Sequence, residues 1–455
     1  MTVSATHPEY NRHVARWELV RDVVNSDVKQ YIIDIDPNDI DRCNRYKHDA
    51  CFTNFTGRTK AGLVGAVFRK DVEISLPESV AYLEDDATGS QIGLTKLAQE
   101  VTGEVLQAGR YGLLVDYPAS QEGLTAADIE DMNIKAHISK YKPENIINWQ
   151  TTVIHGMHKI ILVVLKECIS YIGNDGFTWM DGIQYRVLRL IDGEYVQELY
   201  DENEDIISQY IPKDANGQSW DFIPFVFVGS QDNDESIDIA PLYDLAQLNL
   251  GHLRNSADYE ESIHVTGQPT LIISTSMSTE EFKSANPNGV KIGSRRGLNL
   301  GPSGSANLLQ PSPNQLADVA MQRKEQQAVM IGARLVMQAS SNETAEAARI
   351  KHSGENSVLA TIVHNINDAI NRCITWCMMF MSTTDQTDDI IFEISDKFFD
   401  TTLDPQTLMA QLQLYNSGII ATADVRHTLR ETGLIRADRT DEDIQNEVVN
   451  INPFV

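Results

Sequence analysis

The stretch between residues 242 and 381 constrains this chain more than any other part of it. Residues 242–264 contain no Pro and predict one long helix. About fifty residues rich in Gly, Pro, Ser and Asn follow, over 265–314. That stretch holds one strand-like run at 270–274 and a second around 289–292. Residues 315–336 predict a second long helix, and 337–342 a short polar break. Asn342 is placed to cap a third helix over 343–381, with Gly354 as a kink point. Unbroken, that helix would exceed about 50 Å at roughly 1.5 Å per residue. Its second half carries an apolar stripe: Leu359, Ile362, Val363, Ile366, Ile370, Cys373, Ile374 and Cys377. The plan is a two-helix stalk with a small module at its far end, then a loop and a long helix. The apolar face of such a stalk needs partners, and a ring of identical copies would supply them.

Upstream, the spacing predicts a helix over 14–32, broken at Asp34, Asp36 and Pro37. A second helix is predicted over 94–111, stopped by Gly109 and Gly112, with a strand at 113–117. Strand patterns then recur at 146–153, 159–165, 185–191, 195–200 and 223–228. Asp192-Gly193 between two of them is a hairpin signal. Beyond the long helix, a strand is predicted at 390–394 and short helices at 405–415, 421–431 and 441–449. The fold class is α+β.

Charge narrows the function. The 65 Asp and Glu outnumber the 37 Lys and Arg, for a net charge of −28. A protein that grips DNA in a groove carries a basic surface, and this chain as a whole has none. The five cysteines are an odd number in a chain of 455 residues, which points to free thiols in a reducing compartment. No apolar leader and no run of 18 apolar residues is present, so neither a signal peptide nor a membrane span is expected.

No catalytic signature emerges. There is no GxxxxGK[ST] loop, and Gly62-Leu63-Val64-Gly65 lacks a strand before it. His155-Gly156-Met157-His158 has no further ligand at a zinc spacing and reads as a turn between strands. Asp34, Asp36, Asn38 and Asp39 suggest a calcium loop only superficially: the sixth and twelfth positions hold Asp39 and Arg45, not Gly and Glu. That run reads as a solvated helix cap. Asp232, Asp234, Glu235 and Asp238 precede a helix and suit its dipole. Cys373 and Cys377, one helical turn apart, continue an apolar stripe and read as core. One basic motif stands out, Lys291-Ile292-Gly293-Ser294-Arg295-Arg296-Gly297. Lys291, Arg295 and Arg296 could touch phosphate, or pair with a neighbouring subunit or partner. No metal and no cofactor is expected, and these motifs point to no enzyme.

The segment order resembles a known family. The run from Pro241 through Leu242-Tyr243-Asp244-Leu245 to Arg254-Asn255-Ser256-Ala257-Asp258-Tyr259 and His264 looks like the start of the stem in portal proteins of tailed bacteriophages and prophages. Residues 46–56, 62–70, 109–118, 141–149 and 344–349 also resemble a portal-like family of phage genomes. Each stretch alone is weak, and their order carries the resemblance, which spans roughly residues 40–380.

The resemblance implies a ring, usually of twelve copies, at one capsid vertex, serving as the channel for genome packaging and ejection. Residues 1–241 would form most of an α/β wing, 242–264 and 315–336 the two stem helices, and 265–314 a β-containing clip that meets terminase and then the tail adaptor. Residues 343–400 would be the long wing helix and return strand, and 401–455 a helical wing or crown. Met337, Gln338, Ala339, Ser340, Ser341 and Asn342 would form the tunnel loop. Arg323, Lys324, Arg334, Arg349 and Lys351 are candidates for channel DNA contact or for pairing with acids such as Glu325, Glu343 or Glu346 between subunits. Implied partners are further copies of the chain, the terminase large subunit, head–tail adaptor and tail proteins, major capsid and scaffold proteins, and non-specifically held double-stranded DNA. The implied place is the virion, with assembly in the host cytoplasm. An acidic channel wall would let DNA slide. The competing readings are another head–tail structural protein, although adaptors are usually shorter, and a metal-dependent phage enzyme built from carboxylates distant in sequence.

Overall fold

The computed structural model describes residues 2–117, 134–154, 156–173, 175–267, 270–290, 297–309, 315–335, 358–383, 390–396 and 398, with 413–415, 417, 421–423, 425–426 and 444 near the C-terminus. The protein is α+β. Helix α1, Pro8–Asn25, starts at His7, whose Nδ1 accepts from the Glu9 amide at 3.2 Å. It buries Trp17, Val20 and Val23. The helix predicted over 14–32 therefore starts earlier and stops sooner. Ser26 takes the left-handed conformation at φ 67° and ends it, and a 3-10 turn, Lys29–Tyr31, follows. The polar Asn25-Ser26-Asp27 triplet breaks a periodicity that the apolar residues on either side would have continued.

Helices α2, Ile40–Asp49, and α3, Phe55–Val67, are capped by Asp39 and Asn54, whose side chains accept from Arg42 N at 3.0 Å and Gly57 N at 2.6 Å. Asp39 thus caps a helix, and Gly62 to Gly65 lie inside α3. A short strand, β1 (Glu73–Ser75), leads to α4, Leu94–Ala108. Gly109 ends α4 at φ 71°, and a Cβ there would lie 2.5 Å from the Asp238 carbonyl oxygen, so only glycine fits. Gly112, the second predicted stop, instead lies within the strand that follows.

That strand, β2 (Arg110–Asp116), is the centre of an antiparallel sheet ordered β3-β2-β9, with β3 at His137–Tyr141 and β9 at Phe225–Gly229. A five-stranded antiparallel meander runs β4 (Ile146–Ile154), β5 (Met157–Ile172), β6 (Trp179–Ile191), β7 (Glu194–Tyr200) and β8 (Ile206–Tyr210). Gly156 at φ 81° turns β4 into β5. Asp192 and Gly193, at φ 51° and 86°, form the tight turn their sequence predicts. Strands β5 and β6 run longer than predicted. Past Leu165, β5 pairs with β6 alone, as far as Ile172 opposite Trp179.

The remaining elements, in chain order, are α5 (Tyr243–Gly267), β10 (Thr270–Ser274), α6 (Thr279–Ala285), β11 (Ser305–Leu309), α7 (Leu316–Arg334), α8 (Val358–Met381) and β12 (Ile391–Glu393). All eight residues of the predicted stripe on α8 are buried, and they pack against the buried face of α4 and sheet β3-β2-β9. Cys373 and Cys377 are among them, and burial raises both thiols far above their ordinary range. Two asparagines on α8 hold the return strand. Asn371 donates to Phe392 O at 2.8 Å and accepts from Phe392 N, while Asn367 makes the same pair of bonds to Ile394. Strand β12 pairs on its other side with β1, register Ile74 to Phe392.

Candidate functional site

The stalk begins where Leu242 N donates to Leu106 O at 3.1 Å, which docks the start of α5 on the end of α4. One face of α5 buries Leu245, Ala246, Asn249, Leu250, Leu253, Ser256 and Ala257 at helical spacing. Polar groups on that face tie it to α2 and to the start of α3. Asn249 Oδ1 accepts from Phe55 N, Thr56 N and Thr56 Oγ1 at 2.9, 3.2 and 3.1 Å, and its amide donates to Thr53 O at 2.8 Å. Ser256 Oγ accepts from Cys51 N. Tyr46 donates to Asp258 at 2.7 Å, and Arg42 pairs with Glu261 at 2.9 Å. Burial and the Asp258 carboxylate together raise the Tyr46 hydroxyl above its ordinary range. These bonds reach from the second to the sixth turn of α5, so the body holds about the first three-quarters of the helix.

The other face of α5 receives α7. Gly251 has no side chain, and Lys324 fills the space: a Cβ at Gly251 would stand 3.1 Å from Lys324 Cε. With the Asn255 amide oriented by its neighbours, its oxygen accepts from Lys324 Nζ at 3.2 Å and its nitrogen donates to Gly251 O at 3.1 Å. His252, itself buried, faces Glu325 across the pair at 3.3 Å and packs edge-on against Phe55. Ala328 is buried between the helices, and Gly332 lies against Thr59 of α3. The stalk is therefore an antiparallel pair joined at its base to the body.

Between the two helices sits a module that folds largely on itself. Strands β10 and β11 pair antiparallel from Thr270–Leu309 to Ser274–Ser305. Sequence placed the second strand around 289–292. Gly289 instead lies in a turn at φ 69°, and Asn286 bonds to both backbone groups of Asn299 across it. The partner strand lies farther on, where Ser305 to Leu309 alternates less clearly. Helix α6, which the sequence reading missed, starts with a reciprocal Ser278–Glu281 capping box.

Apolar side chains are left outside. On α7, Leu316 is 76% and Val329 73% exposed, with Val319 and Met330 beside them. Ile263 and Val265 on α5, and Ile272, Leu308 and Leu309 on the inserted sheet, are exposed too. A stalk that worked alone in water would gain nothing from these positions.

The predicted site residues divide as follows. Arg323 is exposed on α7, and Lys324 lies across Gly251 inside the stalk. Arg334 closes α7, but its side chain lies outside the described residues, as do Lys291, Arg295, Arg296, Met337 to Asn342, Arg349 and Lys351. Most of 401–455 also lies outside them. His158 is the second residue of β5, and His155 is outside the described residues. Among the described residues no group of three or more His, Cys, Asp or Glu is placed to hold a metal ion. No helix among them is long and apolar enough to cross a membrane.

One charged site had no sequence signal. Arg110, at the start of β2, is buried with its guanidinium 4.1 Å from the Trp149 ring and 3.9 Å from the Phe227 ring. Its Nη1 donates to Glu235 O at 2.9 Å, and Asp234, Glu235 and Asp238 surround it. The acidic cluster before the stalk thus forms a loop around a buried cation, rather than serving a helix dipole alone. Burial pushes the Arg110 guanidinium down to about 9 against the pull of those carboxylates.

These features define an α+β protein whose body carries an antiparallel helical stalk with an inserted β module. Residues 241–381, which hold the stalk, the module and the long helix, match a family described as a domain of unknown function, DUF4055. Among curated proteins, no sequence matches the chain. Among solved structures, it is similar to a chain in the virion of a native gene transfer agent (GTA) particle, with 14% identity, 86% of this chain and 93% of that one covered, and a TM-score of 0.42. A chain in the neck of an empty GTA particle computed with C6 symmetry matches at 12% identity, the same coverage and the same TM-score. A chain in the neck of a native GTA particle computed with C12 symmetry matches at 13% identity and a TM-score of 0.41, with the same coverage.

Proposed function

We propose that the chain is a portal subunit of a tailed phage or prophage: one copy of a ring that conducts double-stranded DNA at a capsid vertex and has no catalytic role. The observation that carries this reading is the antiparallel pair α5–α7, anchored to the body at one end and bearing a self-folded module at the other. The family-like stretches upstream support it, because they occur in portal order around that pair. The exposed apolar residues of α7 and the module suit contact with further copies. In this reading α5 and α7 are the stem, residues 265–314 the clip that meets terminase and then adaptor, and 337–342 the tunnel loop. The net charge of −28 would keep the duplex mobile, since cations that neutralised many phosphates would trap it. Assembly would take place in the host cytoplasm and end in the virion, beside capsid and scaffold proteins.

Particle shape tests the reading. Negative-stain microscopy and native mass spectrometry of the purified chain, taken to high concentration, should show a ring of about twelve copies with a central hole. A monomer at every concentration would overturn it. Arg295→Glu with Arg296→Glu should leave rings intact and weaken terminase or adaptor docking, whereas loss of the rings would place that loop between subunits.

A further inference from the structure

A cavity of about 1040 Å³ opens between α3, α4 and the end of β3, away from the stalk contacts described above. Its lining includes five cations: Arg58, Lys60, Lys96, Lys140 and Lys142. In a chain with 65 acids and 37 bases, that concentration runs against the composition. Only two carboxylates line the same space, and each is already engaged. Glu100 pairs with Lys140 at 2.5 Å, and Glu104 pairs with Arg21 at 3.0 Å. Among the described residues, no carboxylate stands within ion-pair distance of Arg58, Lys60, Lys96 or Lys142.

The position of Lys60 is built into the fold. Its chain lies across Gly103 on α4, where a Cβ would come within 2.9 Å of Lys60 Cε. A glycine in the interior of a helix costs about 1 kcal/mol relative to alanine, and here it admits this lysine. Burial, together with the charges of Arg21 and Lys142, lowers the Lys60 ammonium below its ordinary range, although Glu104 pulls the other way. An anion in the cavity would relieve that repulsion.

Part of the lining is apolar. Val24, Val64, Phe68 and Tyr111 line the cavity, and α3 presents Gly57, Ala61 and Gly65 at four-residue spacing, so its backbone comes close to the surface. Helix α3 has 13 residues, and the wall it forms is about 20 Å long at 1.5 Å per residue. That length accommodates roughly six residues of extended peptide at about 3.3 Å each. A DNA backbone offers charge but no apolar group for Val24, Val64 and Phe68, and the convex surface of a duplex does not enter a concavity of this size. A peptide that carries both carboxylates and an apolar residue matches both the cations and the apolar part of the lining.

We infer that this groove is a docking site for an acidic peptide segment, anchored by an apolar side chain, on another protein. The inference does not depend on the portal reading, and either can fail without the other.

The test uses the full chain and a short fluorescein-labelled glutamate-rich peptide with a central Phe-Leu pair, followed by fluorescence anisotropy. The expected result is saturable binding that weakens with salt and falls about tenfold or more in the Arg58→Glu, Lys142→Glu double variant. Both of those side chains are exposed, so the variant should keep its thermal melt. Ala61→Trp, which fills the groove without changing charge, should abolish binding as well. Glutamine in place of glutamate, or serine in place of Phe-Leu, should each weaken it. Absence of saturable binding, or equal binding by the variants, overturns the inference. So does inorganic polyphosphate or a single-stranded oligonucleotide binding as tightly as the peptide and with the same variant dependence, which would make the groove a phosphate site.

Discussion

The side-chain oxygen of Asn249 accepts hydrogen bonds from both the backbone amide and the hydroxyl of Thr56, at 3.2 and 3.1 Å, and both residues are fully buried. Asn249 lies on the stalk and Thr56 at the first turn of α3, so one carboxamide closes a helix end and joins stalk to body.

Replacement of Asn249 by Leu should therefore be costly although the volume is nearly kept. It would leave Thr56 Oγ1 and Thr56 N without their partner, and Phe55 N and Thr53 O with only their bond to each other. The expected loss is about 2–4 kcal/mol, because buried donors left unmade cost more than a bond contributes. Urea denaturation followed by circular dichroism measures it, and a loss below about 0.5 kcal/mol would show that the junction reorganises.

The Arg110 stack predicts a sharp difference between two substitutions. Lysine keeps the charge but cannot lie flat between Trp149 and Phe227, so Arg110→Lys should destabilise by about 2 kcal/mol or more. Methionine fills the slot and removes a desolvated cation whose Nε and Nη2 have no hydrogen-bond partner, so Arg110→Met should lie within about 1 kcal/mol of the parent. Equal effects of the two would mean that charge, and not shape, holds the site.

A third prediction concerns pH. Glu167 accepts from Arg186 Nε at 2.7 Å, Tyr141 at 2.6 Å and Gln184 at 2.5 Å. Burial alone would raise its carboxyl, but the hydrogen bonds and the Arg186 charge outweigh burial and hold it below the ordinary glutamate range. The folded state therefore binds the proton less readily than the unfolded chain. The resulting stability is fully present above the unfolded value, near 4.5, and is lost as pH falls through the lower folded value. Glu167→Gln should cost about 2 kcal/mol at neutral pH, and its deficit should shrink as pH drops below about 4.5. Denaturation curves for both proteins across that range provide the check; a deficit that stays constant with pH would sink the assignment.

Much of the stalk was legible because its signals are local. A Pro-free run, a Gly- and Asn-rich interruption and a second run place α5, the module and α7 within a few residues. The stripe on α8 was equally plain, because eight apolar residues at helical spacing leave few alternatives. The misses share a cause. Thr270–Ser274 pairs with Ser305–Leu309, a run the sequence did not mark, because strand pairing is decided by what lies opposite; of the run predicted at 289–292 only Gly289 and Val290 are described, and they lie outside that pair. The length of β5 beyond Leu165 likewise depends on β6. Arg110 carried no signal, since a charged residue before an apolar strand ordinarily marks its exposed end.

The sequence by itself determined α4, α5, α7 and the apolar stripe of α8, the Asp192-Gly193 turn, the caps at Asp39 and Gly109, and the acidic balance of the chain, all of which follow from neighbours along the backbone; α2, α3 and α6 it did not mark. Tertiary structure alone decided which face of α5 meets the body and which meets α7, that Lys324 lies over Gly251, and that Arg58, Lys60, Lys96, Lys140 and Lys142 surround one cavity. These contacts join residues up to about two hundred positions apart. Their energies come from desolvation and close packing between surfaces that no local pattern brings together.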